Sequence, residues 1–378
     1  MPNPTFDSIV IGVGGMGSAA VYELARRRQR VLGLEQFSIP HELGSSAGST
    51  RIFRFAYFEH PRYVPLMRRS FERWQALERD FGEAFVTVTG GLDIGPPSGR
   101  VVTGAKEACR QHGLAHDVLD AREAAARFPA WRLPPQFEAV FQSEAGFLLA
   151  DRAIVAHATL ARKLGAEIHE GEPVRAWRAS RDCVEVRTDK ATYEAGSLVV
   201  AAGAWVAKLV PRLAGSAVPE RQVVGWFKTA DPQLAVGAFP IFILEEPSGR
   251  MYYGFPDAGE GLKIGKFRHR YEATDPDNVL RDIAPEDEQE LRAMAPFLSG
   301  GIGPASAFKT CMFVMSPDEH FIVDVLPDQR NVVVAAGFSG HGFKFCSGIG
   351  EILADLAMNG CTAHDIALFG LSRLASPA

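Results

Sequence analysis

Phe6-Asp-Ser-Ile-Val-Ile-Gly12-Val-Gly14-Gly15-Met16-Gly17, continued by Val31-Leu-Gly-Leu-Glu35, is the stretch that decides the fold. The apolar run before Gly12 reads as a fully buried strand, Ser18 to Arg28 as a helix, and Val31 to Leu34 as a second strand ending in an acid. A GxGxxG turn in that setting is a dinucleotide-binding βαβ unit. Gly12 permits the tight turn, Gly14 lets the backbone approach a pyrophosphate, and Gly17 allows the helix to pack closely on the strand. The helix N-terminus then faces the phosphates, and Glu35 can accept hydrogen bonds from an adenosine ribose, which favours a ribose without a 2′-phosphate. The motif alone does not separate NAD from FAD.

Outward from this unit, Tyr63 to Phe81 has helical periodicity and is closed by Gly82. Residues 83–146 mix short strands with an amphipathic stretch and read as a separate module. A helix pattern returns from Asp151 to Leu164, and Ser197-Leu-Val-Val-Ala-Ala-Gly203-Ala-Trp205 gives a buried strand ending in small residues. Short runs at Gln222–Phe227, Ile241–Leu244, Met251–Phe255 and Leu262–Phe267 have antiparallel character. Phe321–Asp324, Asn331–Gly337 and a helix from about Gly348 to Met358 return to the first architecture. The expected fold is a two-domain α/β (α+β) chain: a Rossmann-type cofactor domain from residues 1–82, 148–218 and 316–378, interleaved with an antiparallel-sheet substrate domain from 83–147 and 219–315.

Composition narrows the function. The 378 residues suffice for two domains and a sizeable core, and 40 Lys+Arg against 45 Asp+Glu leave a net charge of −5. No basic excess points to nucleic acid or an anionic membrane, and no apolar run reaches the roughly 18–20 residues of a membrane span. The N-terminal Met1–Asp7 lacks a charged segment leading into an apolar one, so the expected location is cytoplasmic. Five cysteines, Cys109, Cys183, Cys311, Cys346 and Cys361, show no zinc spacing, so reduced thiols and no metal are expected. Glycine, at 37 residues, is enriched as in folds whose loops approach a large cofactor.

Longer blocks carry a family resemblance. They are Gly44-Ser-Ser-Ala-Gly-Ser-Thr50-Arg51-Ile-Phe-Arg54, Arg221-Gln-Val-Val-Gly, Tyr252-Tyr253-Gly-Phe-Pro, Lys309-Thr-Cys311-Met leading into Ser316-Pro-Asp-Glu-His-Phe, and Ala335-Ala-Gly-Phe-Ser-Gly-His341-Gly-Phe-Lys344-Phe. Together with the N-terminal unit, they make essentially the whole chain resemble the monomeric sarcosine oxidase, N-methyltryptophan oxidase and pipecolate oxidase family of FAD amine oxidases. The resemblance implies a monomer that oxidises the C–N bond of a secondary amino acid to an imine and reduces O2 to H2O2. It also implies FAD bound covalently through Cys311. Cofactor contacts would come from Gly12, Gly14, Gly15, Met16, Gly17, Glu35, Gln36, Ser45, Thr50, Arg51, Val174, Ala202, Gly203, Trp205, Phe338, Gly340, Gly342, Phe343 and Lys344.

The same resemblance gives Arg54 and Lys344 the substrate carboxylate, Arg51 the assembly of the flavin link, Lys263 the activation of O2, and Tyr253 a substrate contact. The chemistry is consistent: a guanidinium fork and an ammonium both suit a carboxylate, and a fixed cation stabilises charge developing on O2. On the residues alone, Cys311 is equally a small buried hydrophobe, Arg54 a surface partner of Glu59, Lys263 an edge-strand charge, and Tyr253 a core aromatic. Two family histidines are missing: Ala47 and Phe267 stand in their places, with His269 expected on the same strand face as Lys263 and Phe267. The apolar replacements favour a bulkier or cyclic substrate over sarcosine. No residue is an evident general base; the family lowers the pKa of the bound amine in a cationic site instead. Other classes with the same fingerprint are a flavin dehydrogenase passing electrons to a quinone or partner protein, and a non-catalytic NAD-binding protein.

Overall fold

A computed structural model describes residues 5–374. The first sheet is built around Phe6–Ile11, which runs parallel to Val31–Leu34 on one side and to Thr192–Val200 on the other. Glu167–His169 extends it past Val31–Leu34. The long strand Thr192–Val200 pairs antiparallel with Val184–Thr188 at its start and parallel with Gln329–Ala336 at its end. A strand buried on both faces must satisfy even its polar side chains internally, and Ser8 and Ser197 do so by bonding each other across the pair at 2.8 Å.

The glycine turn works as read from the sequence. Gly12 has φ +86°, donates its N–H to Leu34, and would drive a Cβ into the Ala201 carbonyl. A Cβ on Gly17 would stand 1.7 Å from the Gly12 carbonyl oxygen, so this close approach of helix to strand tolerates no side chain at all. The helix spans Gly15–Arg26, starting and stopping slightly earlier than the periodicity suggests; Arg28, with φ +64°, lies beyond its end in left-handed backbone. It packs on Cys346–Asn359, where Gly350 brings the helices so close that a Cβ would meet Ala19 at 2.6 Å. Tyr63–Phe81 is helical as expected, buries Val64, Met67, Trp74 and Leu77 on one stripe, and ends at Gly82 with φ +79°.

The second sheet runs, in strand order, Ala305–Met315, Val218–Phe227, Leu262–Lys266, Met251–Phe255, Ile241–Glu245, Gly91–Gly95, Glu138–Gln142 and Asp117–Asp120. All its pairings are antiparallel except Ile241–Glu245 with Gly91–Gly95. Through that parallel pair, three strands of residues 83–146 join those of 219–315 in the second sheet. Two others, Val86–Val88 and Gly146–Leu149, form a small sheet with Thr50–Phe53, the strand that carries Arg51. Among the described residues no helix is long and apolar enough to cross a membrane.

Gly17→Ala should destabilise the fold by about 3 kcal/mol or more, since neither backbone element can withdraw without breaking the sheet–helix contact. A urea unfolding midpoint equal to that of the parent chain would overturn this account of the turn.

Candidate active site

One cavity of about 400 Å³ extends from the glycine turn to the second sheet. Of the cofactor and catalytic residues named from the sequence, all border it except Gly17, which lies beneath the turn as a packing glycine. At the turn, a Cβ on Gly14 would meet nothing within 4 Å, so the backbone there is bare toward the cavity. Glu35, buried at its strand end, accepts from the Val13 N–H at 2.8 Å and the Phe37 N–H at 3.0 Å, which fixes its carboxylate beside the turn. Gln36, Val174, Ala202, Gly203 and Trp205 continue the wall. Ser45 Oγ is buried without a hydrogen-bond partner. An orphaned hydroxyl and a bare turn opposite a fixed carboxylate fit an FAD, whose pyrophosphate and ribose supply the missing partners.

Farther in, two cations are held by backbone instead of by carboxylates. Arg51 donates to the carbonyls of Thr50 (2.8 Å), Ser45 (2.9 Å) and Ala47. Lys263 donates to the Gly48 carbonyl and, at 2.8 Å, to Thr50 Oγ1. It stands opposite both Trp226 and Phe255 in the sheet, with its ammonium 5.1 and 4.5 Å from their rings. Burial, with Arg51 adding repulsion, lowers its pKa well below the usual lysine value. The hairpin expected around Gly261–Gly265 is present; Tyr253 lies opposite Gly265, where no Cβ would fit beneath its ring. Cys311 is buried on the strand Ala305–Met315, opposite Gln222 and one strand removed from Lys263; burial raises its thiol pKa, opposed by Arg51, Lys263, Arg281 and Lys309. The four cations make a thiolate at Cys311 less costly than in an apolar core, but burial outweighs them.

The third group is a buried charge cluster. Arg54 donates through Nη2 to both oxygens of Glu59 (2.8 and 2.7 Å) and through Nη1 to the Ala56 carbonyl at 2.7 Å. The Glu59 partner considered from the sequence is therefore real, but the pair is internal, not at the surface. Burial opposes ionisation of Glu59, yet Arg54, His341 and Lys344 hold its pKa down at about 2. Lys344 donates to the His341 carbonyl at 2.8 Å, and burial together with Arg54 brings its pKa down to about 7. Phe338, Gly340, Gly342 and Phe343 shape the wall beside it.

His269 departs from expectation. The strand ends at Lys266 and Arg268 adopts φ +51°, which breaks the alternation. Phe267 lines the cavity and lies 6.0 Å from Phe313, ring to ring, whereas His269 is fully buried elsewhere, bonded to Asp287 at 3.0 Å. Ala47 is buried and contributes its carbonyl to Arg51. Cys346 also borders the cavity, with a thiol whose pKa burial raises strongly. Sequence reasoning missed Phe58, Ile243 and Met251 in the lining and Asp93 behind Arg54. Only Asp93 left a signal: a lone acid in the otherwise apolar strand Gly91-Leu-Asp-Ile.

Residues 7–356 match the FAD dependent oxidoreductase (DAO) family. The chain is 42% identical to a monomeric sarcosine oxidase of Streptomyces avermitilis, over 99% of each chain. It is 35% identical to an N-methyl-L-tryptophan oxidase of Salmonella heidelberg, over 97% of this chain and 99% of that one. Among solved structures it resembles NikD, an unusual amino acid oxidase essential for nikkomycin biosynthesis, with a TM-score of 0.84 and 25% identity over 97% of both chains. The chain belongs to the FAD dependent oxidoreductases and, within them, to the monomeric sarcosine oxidase and N-methyltryptophan oxidase family, as a sarcosine oxidase-like FAD amine oxidase acting on CH–NH with O2.

Proposed function

We propose that this enzyme oxidises a secondary amino acid with a bulky or cyclic side chain to its imine, releasing hydrogen peroxide, as a monomeric cytoplasmic protein with covalently held FAD. The observation that carries the reading is one cavity joining a dinucleotide turn to two buried cations, Arg54 and Lys344, walled by Phe58, Ile243, Met251, Phe267 and Phe313. Sarcosine has no side chain with which to cover that apolar surface, whereas a ring or large side chain gains free energy from it. We assign residues 1–82, 148–218 and 316–378 to the cofactor and 83–147 and 219–315 to the substrate.

Bound FAD supplies the two-electron acceptor for the C–H bond beside the amine and passes the electrons to O2. The protein's own residues do the rest. Arg54 and Lys344 hold the substrate carboxylate, which orients the amine, and Tyr253 closes the wall nearby. The cationic surroundings favour the neutral amine, whose lone pair drives C–H cleavage. Lys263, fixed by Gly48 and Thr50, presents a cation to negative charge developing on O2 without reorganising. Cys311, with Arg51 beside it, would hold the flavin through a thioether from its sulfur to a ring methyl carbon, the two electrons and two protons lost in forming that bond being taken up by O2. An FAD dehydrogenase passing electrons to a quinone or partner protein is the second reading; Lys263 favours O2, and turnover with O2 as sole acceptor decides between them.

In a substrate panel read by peroxide, pipecolate, proline or an N-methylated bulky amino acid should exceed sarcosine in kcat/KM by roughly tenfold or more; turnover of sarcosine with no binding of the others would sink the substrate assignment. Acid precipitation should leave the yellow chromophore in the pellet for the parent chain and in the supernatant for Cys311→Ala, and release from both proteins would return Cys311 to a buried thiol. Lys263→Met should slow reoxidation of the reduced holoenzyme by O2 by roughly 10²-fold, with anaerobic reduction by substrate changed far less. Equal slowing of both steps in stopped-flow would remove Lys263 from the oxygen reaction.

A further inference from the structure

Arg54 has acids on two sides. Glu59 takes its Nη2 edge, and Asp93, on the strand Gly91–Gly95, faces its Nε edge at 3.9 Å. The rings of Tyr57 and Phe58 lie 4.7 and 4.4 Å from the guanidinium carbon. Asp93 is opposite Ile243, which is opposite Tyr253, so strand parity puts all three on the sheet face turned toward the cavity. Asp93 does not line the cavity itself and reaches a ligand there only through Arg54.

Two features separate Asp93 from an ordinary ion-pair partner. Its Oδ1 and Arg54 Nε are both buried without a hydrogen-bond partner, although they face each other. A buried carboxylate in that state costs free energy that a valine or leucine at the position would not. The charge count also depends on it. While Lys344 is protonated, Arg54 and Lys344 contribute two positive charges and Glu59 one negative, so an ionised Asp93 makes the cluster neutral and a protonated Asp93 leaves it with one positive charge for an incoming carboxylate.

We infer that Asp93 is a specificity-determining residue that sets the charge of the carboxylate-binding cluster, and that binding a substrate anion is coupled to uptake of one proton by Asp93. This rests on the assignment of Arg54 and Lys344 to the substrate carboxylate. The groups facing Asp93 are Arg54 and Lys344, which favour its ionised form, Glu59, which opposes it, and the Cys109 thiol on the helix Arg100–His112. Burial outweighs the two cations and pushes its pKa up to about 7. Asp93 is thus neutral below that pH and ionised above it. Affinity for a carboxylate is full at lower pH and declines as pH rises through neutrality, and above neutrality the bound anion draws a proton back onto Asp93.

Lys344, with its pKa also brought down to about 7, is the competing proton acceptor, so the test separates the two. Phenylacetate, a carboxylate with no amine to titrate, is bound to the holoenzyme at pH 8 in phosphate and in Tris, and the difference in calorimetric heat counts protons. The parent enzyme should take up close to one proton. Asp93→Asn should take up far fewer and bind phenylacetate about tenfold more tightly at this pH. Lys344→Arg, whose side chain keeps its charge throughout, should retain the uptake. Uptake that persists in Asp93→Asn, or vanishes in Lys344→Arg, places the proton on Lys344 and overturns the proposal, as does a parent enzyme that takes up none. Should Asp93→Asn not fold, the Lys344→Arg and parent measurements still decide. Phenylacetate affinity unchanged by Arg54→Met overturns the carboxylate site itself and Asp93's role with it.

Discussion

Four cationic side chains, Arg51, Arg54, Lys263 and Lys344, border one cavity, the last three of them buried, and the rest of the structure is arranged around keeping them there. A buried cation is tolerable only when its donors are met. The protein meets them in two ways. Arg51 and Lys263 donate to carbonyls of the loop between Ser45 and Thr50, which hold the side chains without cancelling their charge. Arg54 is met by carboxylates, Glu59 directly and Asp93 at a distance, which cancel it in part.

That division matches the chemistry asked of each end. Backbone carbonyls hold Arg51 and Lys263 on the side of Cys311 without cancelling their charge, while burial and the neighbouring Arg51 favour the neutral form of Lys263. At the other end Arg54 is already balanced by acids, and such a cation binds an anion less tightly than a bare one. The architecture follows from the same need. Loop 44–50 belongs to the chain segment of the first sheet, Lys263 and Cys311 to the second, and the small sheet containing Thr50–Phe53 ties Arg51 to the strand Gly146–Leu149. Interleaving the segments brings both sheets to one cavity.

Much of this was legible in the chain. The glycine turn, the buried strands beside it and the Tyr63–Phe81 helix depend on local rules, steric demands at Gly12 and Gly17 and apolar periodicity, and each was placed within a few residues. The site residues came from longer blocks resembling a known family, and the cavity gathers them all but Gly17. The failures have physical causes. His269 was misplaced because strand alternation was carried past Lys266, where positive φ at Arg268 ends it. The parallel pairing that joins Gly91–Gly95 to Ile241–Glu245 in one sheet leaves no mark in either strand.

By itself the sequence determined the dinucleotide unit, the family and the set of cations, because these rest on residue identity and on spacings of a few positions. Only the tertiary structure decided what partner each cation meets. Arg54 meets Asp93, and Lys263 meets Gly48, across different strands and loops. The sign and strength of the field in the cavity depend on burial and on distances of a few ångströms, which belong to the folded arrangement and to no stretch of chain.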